Sequence, residues 1–64
     1  MKSNERDNWL TNIDNSATAV ASQLGSAAVE AVFWRYGITC AEEADDCDLA
    51  DIFGELYALE VDSR

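Results

Sequence analysis

Leu10, Ile13, Ala17, Val20, Leu24, Ala27 and Ala31 recur at gaps that alternate three and four. A helix returns residues so spaced to one side, and this seam constrains the fold more than any other feature of the chain. It predicts a helix from about residue 4 to residue 36, with Ala28 and Val32 widening the stripe. The chain has no Pro and only three Gly, which favours long helices over a turn-rich β-fold.

Two places weaken this helix. Asp14-Asn15-Ser16 is rich in residues that prefer caps to helix interiors. Gly25-Ser26 introduces a Gly, which costs roughly 1 kcal/mol relative to Ala. The seam keeps its phase across both, which argues for one continuous helix with a bend; two consecutive helices are the alternative. The helix end is better marked. Arg35 places a cation in the last turn, Gly37 suits the position just past the end, and Ile38 follows as the accompanying hydrophobic contact. Thr39 and Glu42 have capping-box spacing, so a short helical turn is expected there. A final helix runs from about 48 to 61, capped by Asp46 or Asp48. Its Leu49, Ile52, Phe53, Leu56 and Leu59 share one apolar face, with Tyr57 and Val61 at the shoulder. The expected fold is all-α: a helical hairpin whose long N-terminal helix is joined to a shorter C-terminal helix by an acidic connector over 37–47. The 64 residues make one small domain.

Such a hairpin leaves apolar surface unmatched. The last helix is about half as long as the first, so Trp9, Leu10 and Ile13 lack a partner within the chain. Val29, Phe33 and Tyr36 form a second patch that points away from Leu10 and Ile13 on a continuous helix. A homodimer that pairs the long helices along the seam covers this excess and makes a helical bundle. The small residues Ala17, Ala27, Ala28 and Ala31 permit the close approach. The competing arrangement is a monomeric three-helix bundle, with the long helix broken at Asp14 or Gly25.

Charge is distributed unevenly. The formal net charge is -9, yet the first 36 residues are nearly neutral, with Glu5, Asp7, Asp14 and Glu30 against Lys2, Arg6 and Arg35. Between Glu42 and Asp62 lie Glu42, Glu43, Asp45, Asp46, Asp48, Asp51, Glu55, Glu60 and Asp62, with no Lys or Arg. Asp48, Asp51, Glu55 and Asp62 return near one angle of the final helix, opposite its apolar face. Glu42, Glu43, Asp45 and Asp46 extend this candidate partner-binding face into the connector. Such a block repels nucleic acid and favours a basic protein partner, or simply keeps one side of a small protein in water.

The residue inventory excludes much chemistry. Without His there is no Ser-His-Asp or Cys-His catalysis. No phosphate-binding glycine motif is present, and four Lys and Arg cannot line a groove for a phosphate backbone, so direct nucleic-acid binding is not expected. A calcium loop started at Asp46 fails, because Ala50 and Asp51 stand at its fifth and sixth positions, where an acid and a Gly belong. Cys40 and Cys47 match neither a redox pair nor a zinc set and are expected as small, partly buried residues. Trp34 reads as packing against the next helix, with a binding anchor as the alternative. No cofactor, metal or catalytic residue is expected. The polar N-terminus carries no signal-like apolar run and no segment approaches membrane-span length, which places the chain in the cytosol with reduced thiols and no membrane partner.

The segments Ala28-Val29-Glu30-Ala31-Val32-Phe33-Trp34-Arg35-Tyr36-Gly37 and Asp51-Ile52-Phe53-Gly54-Glu55-Leu56-Tyr57-Ala58-Leu59-Glu60 resemble small acidic proteins encoded on bacterial mobile elements. The resemblance implies a plasmid, phage or conjugative-element setting and transfers no activity. Three readings fit these features: a non-enzymatic protein-interaction module; a nucleic-acid mimic of the anti-restriction or anti-CRISPR kind that occupies the basic groove of a nuclease; and a structural remnant or accessory subunit that folds on a larger partner.

Overall fold

The computed structural model describes residues 3–62. Its elements are α1 (Ser3–Leu24), α2 (Ser26–Arg35), a 3-10 turn over Ala41–Glu43, and α3 (Asp46–Asp62). The described residues are therefore all-helical, with three α-helices rather than the two of the expected hairpin.

The difference is made at Gly25. Its amide donates to the Ala21 carbonyl at 2.9 Å and closes α1, while its own carbonyl accepts from Ala28 at 3.2 Å and opens α2. Between these bonds the backbone sits at φ 91° and ψ 158°, a region open essentially to Gly alone. The heptad phase that runs through Gly25 in sequence is thus not a phase in space. The Asp14-Asn15-Ser16 stretch stays helical: Thr18 Oγ1 donates to the Asp14 carbonyl at 2.9 Å, and Ser16 is buried between Ile13 and Val20 on the core-facing side.

With 22 residues, α1 is about 33 Å long at 1.5 Å per residue, and the longest dimension of the molecule is 33 Å. The other elements pack along this one strut. Ile13, Val20, Val32, Phe33, Ile38, Ala41, Ala44, Leu49, Ile52 and Leu56 form one core, with Trp9, Leu10, Ala17, Ala28, Val29, Tyr36, Phe53 and Leu59 partly buried against it. Two expectations fall here. The N-terminal half of the seam does have a partner in its own chain: Ile13 is fully buried, and Trp9 meets Phe53 edge to face at 5.9 Å. Val29, Phe33 and Tyr36 do not form a separate patch, because the turn at Gly25 swings α2 back and adds them to the same core. The seam is consequently divided. Leu10, Ile13, Ala17 and Val20 pack internally, whereas Leu24, Ala27 and Ala31 are exposed.

The end of α2 follows the sequence closely. Gly37 has φ 72°, its amide donates to Trp34 O at 3.0 Å, and the Ile38 amide donates to Phe33 O at 3.2 Å. This is the Schellman pattern, and Ile38 is buried with Phe33 as that motif requires. The connector then reaches the N-terminal turn of α1. There Arg6 binds the Glu42 and Ala44 carbonyls at 2.8 and 3.0 Å, and α3 begins at once with Asp46. Helix α3 therefore starts two residues before the expected 48, and the connector ends at 45. An open groove of about 570 Å³ remains along the α1–α2 junction, where Ala17 and Ala21 are too small to fill the space beside Val29 and Phe33.

Candidate functional site: an acidic interaction surface

The acids of the connector and α3 do not all have the same role. Asp46 pairs with Arg6 at 2.6 Å, so this carboxylate holds the start of α3 to the first turns of α1. Both side chains are partly exposed, and such a pair contributes on the order of 1 kcal/mol or less. The two carbonyl contacts of the same guanidinium add more, since they fix an irregular connector in one position.

Glu55 is engaged in the same way at the other side of the molecule. It is half-buried, and its carboxylate accepts from the Arg35 guanidinium and from the Tyr36 hydroxyl, the latter at 2.5 Å. These bonds tie the end of α2 to the middle of α3. The hydrogen bond to Glu55, followed by burial and by the nearby charges of Glu55, Asp51 and Asp48, pushes the Tyr36 phenol up to about 12. At neutral pH Tyr36 is a protonated donor with a structural role.

Glu43 is held locally. Thr39 Oγ1 donates to it at 2.6 Å and Cys40 Sγ approaches the same oxygen at 3.5 Å, and these bonds lower its carboxyl below the ordinary value. Thr39 therefore serves Glu43 rather than Glu42, and the expected capping box does not form. Cys40 and Cys47 are free thiols and both are exposed, so the expectation of partial burial is corrected. No three Cys, Asp or Glu side chains gather closely enough to hold a metal ion among the described residues.

Glu42, Asp45, Asp51 and Asp62 remain exposed, and Asp48 is half-buried. The predicted stripe of Asp48, Asp51, Glu55 and Asp62 does lie along one side of α3, within an arc of about 60°. It borders the core-facing side rather than opposing it, and this is how Glu55 reaches α2. The outermost side of α3 is uncharged: Ala50, Gly54, Tyr57, Ala58 and Val61 are exposed there, with the Tyr57 ring also tilted against Phe53 at 6.0 Å between centroids. On α2, Trp34 is 66% exposed beside Ala27, Ala31 and Glu30, which overturns its reading as core packing.

Arg6 and Arg35, the two cationic side chains among the described residues, are both in internal ion pairs. The described surface thus presents exposed carboxylates, among them Glu42, Asp45, Asp51 and Asp62, that pair with no described cation, together with islands of apolar side chains, and both described arginines already face an acid. The partnership of Glu55 with Arg35 and Tyr36 was not legible beforehand, because nothing local in sequence relates residues some twenty positions apart. No helix among the described residues is long and apolar enough to cross a membrane.

Fold and surface together define a small all-α, three-helix domain with an acidic exterior. The chain matches no family model, and no curated protein or solved structure is significantly similar to it.

Proposed function

We propose that this chain is a non-enzymatic, acidic interaction module that docks onto a basic protein in the cytosol of a host carrying a bacterial mobile element. The observation that carries this reading is the unequal use of charge: both described arginines are engaged internally, while the exposed Glu42, Asp45, Asp51 and Asp62 pair with no described cation and lie among exposed apolar side chains. A surface of that kind steers a cationic partner from a distance and discriminates against an anionic one. Trp34 supplies an aromatic anchor of the type that dominates binding energy at interfaces. A second copy is the alternative partner, and a homodimer would have to use what the fold leaves uncovered: Leu24, Ala27, Ala31 and Trp34. The setting rests on the likeness of residues 28–37 and 51–60 to mobile-element proteins.

A nucleic-acid mimic is the second reading, favoured by the alignment of Asp48, Asp51 and Asp62 along α3. Glu55 and Asp46 are weaker members of that face because each already has an Arg partner.

Affinity capture from host cells separates the two. The expected partner is basic, is released by high salt, and is lost with a Trp34→Ala bait. A bait that recovers the same partner regardless of Trp34 and of salt would remove the proposed mode. If the partner is a nuclease and the Asp51→Lys, Asp62→Lys double variant alone relieves its inhibition, the mimic reading replaces the anchor reading.

A further inference from the structure

We infer that the α1–α2 groove is the docking site for a basic segment of the partner, one that inserts apolar side chains between flanking Lys or Arg residues. This deepens the interaction reading above and rests on it.

The groove has an apolar floor. Ala17 and Ala21 of α1 and Val29 and Phe33 of α2 line it, and Phe33 continues directly into the core. Its volume of about 570 Å³ lies within the range that takes a ligand or a few side chains. An amphipathic helix that presents residues at i and i+4 fits such a trough.

Its edges select charge. Asp14 stands on the α1 side and Glu30 on the α2 side; both are exposed, and neither is paired with a described cation. Two of the three hydroxyls on its lining, those of Thr18 and Thr39, are turned elsewhere, and the third is Ser26. Thr18 donates to its own helix at the Asp14 carbonyl, and Thr39 donates to Glu43. Arg6 and Arg35 lie outside the groove in their own ion pairs. The trough therefore offers acceptors at both rims above an apolar floor. A second copy of this chain is a poor occupant, since its described cations are already engaged and its net charge is -9.

The test is selection of a random 16-residue peptide display library on the full chain, followed by affinity measurement on two variants. Ala21→Leu fills the trough, and the isosteric pair Asp14→Asn, Glu30→Gln discharges its rims. Circular dichroism checks that each variant is folded. The expected peptides carry an apolar pair flanked by Lys or Arg, weaken at least tenfold on Ala21→Leu, and weaken about tenfold on the rim variant. Basic peptides that bind both variants as tightly as the parent chain would overturn the groove assignment and leave the interaction reading standing. Enrichment of acidic or uncharged peptides would overturn the charge selection. A library that yields no binder would count against both.

Discussion

Phe33 and Trp34 are neighbours in sequence with opposite fates: one is buried in the core and the other is two-thirds exposed. A step of about 100° around a helix separates them, and only the direction in which α2 meets α1 decides which one turns inward. The same decision brings Tyr36 onto Glu55, and this contact has a measurable signature. Protonated Tyr36 is favoured in the folded chain, where its pKa is about 12 against an ordinary 10.0. The contribution to stability is complete below pH 10 and is lost as pH rises through about 12. In a Tyr57→Phe background, which isolates one phenol, tyrosinate absorbance is expected to rise with a midpoint near 12. Adding Glu55→Leu should move that midpoint down toward 10, the ordinary value. An unmoved midpoint would show that Glu55 is not the acceptor.

At the level of elements, the helix ends were more legible than the helix count. Gly37 and Ile38 carry a local motif whose hydrogen bonds involve only a few neighbouring residues, so their type was sufficient to place the end of α2. Helix α3 was likewise legible from Leu49, Ile52 and Leu56, all fully buried as their spacing required. The break at Gly25 is masked in the sequence, because the apolar phase continues through it. Phase describes a helix that exists; it does not show that the backbone stays helical at a particular residue. A different Gly gives the test of propensity alone. Gly54 lies within α3, is exposed, and has nothing within 4 Å of where a Cβ would stand. Gly54→Ala is therefore expected to stabilise the chain by about 1 kcal/mol, a rise in Tm of roughly 4–8 °C by calorimetry. A fall in Tm would mean that the outer side of α3 is covered in the folded protein.

For the whole molecule, the single chain has the compactness of a folded domain of its size. Its accessible surface is 4011 Å², close to the roughly 4,000 Å² expected of a folded monomer of 7.0 kDa. The radius of gyration is 11.0 Å, as for a compact chain of this length at about 11 Å. Sedimentation equilibrium at micromolar concentration is expected to return the monomer mass. A single residue gives a second test of the assembly state. Gly25→Ala puts a side chain where the backbone conformation tolerates almost none, at a cost of roughly 1–3 kcal/mol. The strain is relieved if α1 and α2 become one straight helix, about 50 Å long at 1.5 Å per residue. Val32 and Phe33 then leave their own core, and the vacancy fits the same two side chains from a neighbour. The expected product is a domain-swapped dimer of doubled mass, with an unchanged core assembled from two chains. A doubled mass for Gly25→Ala would make the backbone at this one residue the determinant of whether the core is built from one chain or two, and an unchanged monomer mass would remove that role.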